Sequence, residues 1–151
     1  MTEPLRLVIR PVVAADEAAW RGLWGQYLTF YKTTLPDATC ASTFARLLSG
    51  APGDYRGLLA LAEGRPVGLA HYLFHRTCWA IEDTCYLQDL FADPAIRGRG
   101  VGRALIEAVY AAADRHGAAS VYWMTQDFNH AARQLYDRIG VLTPFIEYNR
   151  G

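Results

Sequence analysis

The sequence predicts an α/β fold, an α+β mixed sheet that is mostly antiparallel and flanked by about four helices. Three observations carry this expectation. Strand-period segments cluster between Tyr55 and Ala92. Helical stripes and short strands then alternate as far as Tyr148. Between the two regions, a glycine-rich stretch leads from a strand into a long helix. At 151 residues, 52% hydrophobic and 20% charged, the chain is expected to form a single domain over 1–151 with one well-buried core.

The elements follow in order. Leu5–Arg10 alternates apolar and polar residues, except at Val8, and reads as a strand. Asp16 offers a helix N-cap, and Trp20, Leu23, Trp24, Tyr27 and Tyr31 form an amphipathic stripe behind it. Pro36 and Asp37 break that helix. A shorter one is expected from Ala41 to Leu48, with Phe44, Leu47 and Leu48 inward. Tyr55–Ala62 and Val67–Phe74 read as a β-hairpin joined by Glu63-Gly64-Arg65-Pro66. A third strand, Thr84–Ala92, ends at Asp93-Pro94, where proline lacks the N–H that a central strand needs. Val101, Leu105, Ala108, Val109 and Ala112 make a helical stripe closed by Gly117. Ser120–Met124 is strand-like, Asn129–Ile139 is helical with Gly140 as its stop, and Phe145–Tyr148 reads as a last short strand.

Charge and composition narrow the function. Fifteen Lys and Arg balance fifteen Asp and Glu, which does not suit a nucleic-acid binder. No apolar run approaches the ~20 residues that cross a bilayer. Met1-Thr2-Glu3-Pro4 does not open a secretory signal, so a cytoplasmic location is expected. Cys40, Cys78 and Cys85 are an odd set without a close pair, which argues for reduced thiols. His71 and His75 lie four apart on a strand-like segment without a completing ligand, so no metal site is expected.

The segment from Leu90 to Leu105 is the most informative. Gly98, Gly100 and Gly102 fall at alternate positions and let the backbone bring its N–H groups close to a ligand. The helix N-terminus adds unpaired N–H groups and a positive dipole end. Arg97, Arg99 and Arg103 surround this anion site, which suits a phosphate or pyrophosphate. The spacing fits neither a P-loop nor a dinucleotide fingerprint, whose third glycine would fall at Arg103.

Arg97-Gly98-Arg99-Gly100-Val101-Gly102 matches the Arg/Gln-x-x-Gly-x-Gly/Ala loop that binds acetyl-CoA in the GNAT N-acetyltransferase superfamily. Asn129 to Gly140 resembles that family's Asn-x-x-Ala-x-x-Leu-Tyr segment. The two motifs are independent and correctly ordered. Gly68–Phe74 and Tyr86–Phe91 resemble the spermidine/spermine acetyltransferases. Tyr86–Leu90 and Val121–Gln126 are similar to fungal histone and polyamine acetyltransferases and their bacterial relatives.

The resemblance implies the GNAT acyl-CoA N-acyltransferase fold and a role for acetyl-CoA as cosubstrate. It assigns the coenzyme pyrophosphate to Arg97, Gly98, Arg99, Gly100, Val101 and Gly102, with Arg103 beside them. It gives the pantetheine arm to the backbone of Leu90, Phe91 and Ala92, with Asn129 contacting the arm and Arg133 reaching phosphate. Tyr136 matches the tyrosine that protonates the leaving thiolate. Helical spacing alone would make that ring an ordinary core aromatic. A backbone N–H near Leu90 is expected to stabilise the carbonyl oxygen.

The amine must also lose a proton, since alkyl amines are mostly protonated at pH 7. Related polyamine enzymes carry glutamate where this chain has Gln88, which is no base. Strand alternation puts Asp89 on the opposite face from Gln88. A water relay to Asp83 or Glu82, and capture of the minor neutral amine, both remain open. Tyr27 and Tyr31, with Gln88 and Asp89, are the candidate acceptor residues, through cation–π contact and charge. The expected activity is acetyl transfer to a primary amine by direct attack, on a small polyamine or amino acid. A protein lysine or N-terminus, and a non-catalytic acyl-CoA-binding module, are the alternatives. A homodimer is expected, with the short C-terminal strands near the partner.

Overall fold

The structure, a computed structural model, describes residues 5–96 and 98–151. Met1–Pro4 and Arg97, which were assigned a signal-free start and a phosphate contact, lie outside the described residues. The elements are β1 (Leu7–Pro11), α1 (Glu17–Phe30), α2 (Asp37–Ser49), β2 (Arg56–Ala62), β3 (Arg65–His75), β4 (Thr84–Ala92), α3 (Val101–His116), β5 (Val121–Tyr122) and α4 (His130–Ile139).

The strands form one sheet in the order β1-β2-β3-β4-β5. Its first three pairings are antiparallel, and β4–β5 is parallel. The turn between β2 and β3 is only Glu63-Gly64, both with positive φ, because Arg65 and Pro66 already pair with Ala62 and Leu61. The parallel pair is bridged by α3, the crossover that such a connection needs.

Two apolar layers sandwich the sheet. On one side, Trp20, Leu23 and Trp24 of α1 and Phe44 and Leu47 of α2 bury against Leu59, Leu69 and Phe91. On the other, Val101, Leu105, Ile106 and Val109 of α3 bury against Leu58, Ala60, Ala70, Tyr72, Cys85 and Leu87. Leu135, Tyr136 and Ile139 of α4 pack at the margin of this second layer.

Several expectations need correction. Phe145–Tyr148 forms no strand. Residues 143–151 are exposed and irregular apart from a bend at Pro144, and none of them pairs with the sheet. Asp16 does not cap α1 with its side chain. Its carboxylate takes the Arg10 guanidinium at 2.7 and 2.9 Å and the Val13 N–H at 2.8 Å. Two charge-assisted contacts outbid the helix N–H groups. The helix expected over Ala41–Leu48 begins earlier, at Asp37, with Pro36 as its N-cap. Leu48 is 38% exposed rather than inward. The strand-like Ser120–Met124 keeps only Val121 and Tyr122 paired, and that shortening opens the site.

Candidate active site

β5 pairs with β4 only at Cys85↔Val121 and Tyr86↔Tyr122. Beyond these residues the two segments part. The cleft between them is lined by Leu87, Gln88 and Leu90 from β4, and by Trp123, Met124 and Thr125 after β5. Tyr27 of α1 and Tyr31 just after its end close one wall, and Tyr136 of α4 the other. Over this stretch, β4 is bonded to β3 on its other edge. Among the described residues no strand pairs with its cleft-side edge there, which leaves the backbone of Leu90, Phe91 and Ala92 open to an extended ligand. The Phe91 side chain is buried in the α1 layer, so only its backbone is available.

A β-bulge sets the chemistry of β4. His71 pairs with Asp89 and Tyr72 with Leu87, which leaves Gln88 as the extra residue. Cys85 and Leu87 point into the α3 layer. Past the bulge the phase reverses, so Leu90 and Ala92 pack on that layer while Phe91 turns to α1. Simple alternation would have put Asp89 in the α3 core with Leu87. The bulge returns it to the α1 face, where it meets Tyr27.

Asp89 is held there by two donors. The Tyr27 hydroxyl donates to Oδ1 at 2.7 Å, and His71 Nδ1 lies 2.9 Å from Oδ2. His71 is 2% exposed, and its Nε2 accepts from Trp20 Nε1 at 2.9 Å. An indole nitrogen only donates, so Nε2 carries no proton and the ring proton sits on Nδ1, aimed at Asp89. Burial, and next the charge on Asp89, drive the Tyr27 phenol far above its ordinary titration range. Tyr31 is raised by the same two causes.

Tyr136 meets Trp123 edge-on, with ring centroids 5.6 Å apart. Burial, with Tyr31 nearby, pushes its hydroxyl up to about 12. It stays a neutral phenol with a proton to give throughout the ordinary pH range.

The loop before α3 has the shape its glycines predicted. Gly98 and Gly100 adopt φ of 81° and 86°, and a Cβ on either would meet open space. Only the backbone angle demands glycine there. Among the described residues no side chain caps α3, which leaves its first-turn N–H groups after Gly100 to an anion. Gly102 lets α4 approach, since a Cβ there would stand 3.3 Å from Leu135 Cδ2. The first turn thus fits a pyrophosphate.

The remaining candidates have structural partners. Arg103 pairs with Glu107 at 2.8 Å on the exposed face. Asn129 caps α4 by accepting from the Ala132 N–H at 3.4 Å, and Arg133 donates to the Asp127 carbonyl at 2.8 Å. Asp83, a candidate relay end, pairs with His116 at 3.0 Å just ahead of β4 and does not line the cleft. Glu82 is exposed and does not line it either. His71 and Trp20 were missed as site residues. Their signal was the register of β3 on β4, which the long connection from Arg76 to Asp83 hides.

A splayed sheet, a glycine loop opening a helix and a tyrosine across the cleft define an acyl-CoA-dependent transferase scaffold. The Acetyltransferase (GNAT) family model matches residues 17–141, and the chain belongs to this family as an N-acetyltransferase. It is 39% identical over 146 residues to the D-amino-acid N-acetyltransferase HPA3 of Saccharomyces cerevisiae, covering 96% of this chain and 91% of the yeast protein. It is 31% identical to a Bos taurus thialysine N-epsilon-acetyltransferase over 64% of this chain and 52% of the bovine one. The aminoglycoside N-acetyltransferase AAC(6')-Iy, solved with CoA, superposes with a TM-score of 0.82 at 20% identity, covering 100% of this chain and 98% of that one.

Proposed function

We propose that this chain, working as one catalytic domain, transfers the acetyl group of acetyl-CoA to the primary amine of a small molecule. An amino acid, with D-amino acids the first candidates, is favoured over a polyamine. The carrying observation is the cleft itself: its lining residues bear no charged side chain. A polyamine with several cationic centres would need several carboxylates along its path. A single amine beside one buried carboxylate suits an amino acid better. The yeast relative's named activity points the same way.

Acetyl-CoA supplies the thioester that the amine attacks. The N–H groups of the Gly98–Gly102 loop and of the α3 N-terminus hold its pyrophosphate, with Arg97, Arg99, Arg103 and Arg133 supplying positive charge nearby. The backbone of Leu90, Phe91 and Ala92, with Asn129, holds the arm. An N–H near Leu90 donates to the carbonyl oxygen as charge develops there. Tyr136 keeps its proton at Oη and gives it to the departing sulfur. Tyr27, Tyr31 and Gln88 shape the acceptor end.

The working assembly is a homodimer. Val141, Leu142, Phe145, Ile146 and Tyr148 are each at least 74% exposed, an apolar run that supports burial against a second copy.

The test is release of free thiol from acetyl-CoA over a panel of D- and L-amino acids, thialysine and spermidine. D-amino acids should give the highest kcat/KM. Absence of amine-dependent thiol release across the panel would overturn the proposal.

A further inference from the structure

With glutamine at position 88, the cleft wall carries no base, yet a carboxylate stands one hydrogen bond behind it. Tyr27 lines the cleft and donates its only hydroxyl proton to Asp89 Oδ1. The other carboxylate oxygen takes the His71 Nδ1 proton. Both partners are neutral, because the Trp20 N–H occupies the lone pair of His71 Nε2. Asp89 is therefore a largely buried carboxylate, its side chain 13% exposed, whose two hydrogen-bond donors bring it no countercharge. Such a group attracts a cation at the other side of Tyr27.

We infer that Asp89, reached through Tyr27, takes the proton from the incoming ammonium. The inference rests on the transferase reading above and supplies the step that Gln88 leaves vacant. An ammonium N–H bond breaks as an O–H bond forms at Tyr27 Oη. The hydroxyl proton of Tyr27 passes at once to Asp89 Oδ1. An ammonium and a carboxylate become a neutral amine and a neutral acid, and the proton returns to solvent by the same path once the amide has left. Tyr27 never becomes an anion, as its raised phenol requires. The groups facing this pair are His71 from β3, Tyr31 just after α1 and Tyr86 on β4, with Tyr136 of α4 acting on Tyr27.

The experiment is the pH profile of kcat/KM for the most active amine of the panel, in wild type, Asp89→Asn and Tyr27→Phe. Tyr27→Phe leaves the Asp89–His71 pair and the stack on Trp24 in place, so it decides the matter should Asp89→Asn fold poorly. Wild type should show a plateau between the titrations of carboxylate and amine. Both variants should depend on the minor neutral amine, rising about tenfold per pH unit. At pH 7 they should lie roughly 10²-fold below wild type, and they should approach it as the amine loses its proton. Acetyl-CoA affinity should not change. Folded variants whose profiles run parallel to wild type overturn the inference alone. Wild-type protein that releases no thiol with any amine overturns the transferase reading, and this inference with it.

Discussion

Tyr136 carries a definite pH signature. As the proposed proton donor, Tyr136 acts in its protonated form, so activity should be lost only as pH rises through its titration. Burial moves that point to about 12. An assay from pH 7 to 10 should show no fall in kcat from this residue, whereas an unperturbed tyrosine would begin to show one. Tyr136→Phe keeps the ring against Trp123 and removes the proton. It should lower kcat by roughly 10²–10⁴-fold and leave acetyl-CoA affinity nearly unchanged. Gly100 makes a different case. A valine Cβ would meet no neighbour, but φ of 86° is hostile to a β-branched residue. The strain of about 1–2 kcal/mol should re-form the loop and weaken acetyl-CoA about tenfold or more by calorimetry. Unchanged affinity in the folded variant would remove the pyrophosphate from this loop. Both residues were legible in the sequence because motif spacing names them. Asp16 was read only as a cap, because its Arg10 partner becomes a neighbour only once β1 has formed.

At the scale of the element, β4 is where sequence reading succeeded and failed together. Its limits, Thr84 and Ala92, agree with the expectation, since Asp93-Pro94 punctuates the end. Its interior phase does not, because one extra polar residue in a strand looks like ordinary alternation. Deleting Gln88 would join the His71–Asp89 and Tyr72–Leu87 pairs into a regular ladder while leaving every other β4 side chain on its present face. The deletion should therefore fold, with a Tm within a few degrees of wild type, and lose turnover because it removes a cleft-lining residue and shortens the open edge of β4. Retained turnover would show that the bulge does not shape the acceptor site. Phe145–Tyr148 failed in the opposite way. Its composition favours a strand, but a strand also needs an edge to pair with, and that is a property of the assembled sheet or of a second chain.

For the whole molecule, the exposed apolar residues after α4 argue for self-association. Light scattering at micromolar concentration should return twice the mass of one chain, and replacing Phe145, Ile146 and Tyr148 by serine should return the monomer. A wild-type monomer at all concentrations would contradict the dimer. The fold class and the glycine loop could be read from the sequence, because each shows in local patterning, whereas Tyr136 was singled out by its match to a family motif and lies on the cleft wall. The Trp20–His71–Asp89–Tyr27 chain could not, because it joins α1, β3 and β4 across the sheet. Direct transfer within one cleft is the claim on which the rest depends. Mass spectrometry of a reaction holding acetyl-CoA and a D-amino acid tests it in one step. The account predicts one N-acetylated amine for each thiol released, with no thiol released when the amine is omitted. Thiol release without amine, or an acetyl group retained on the protein, would contradict it.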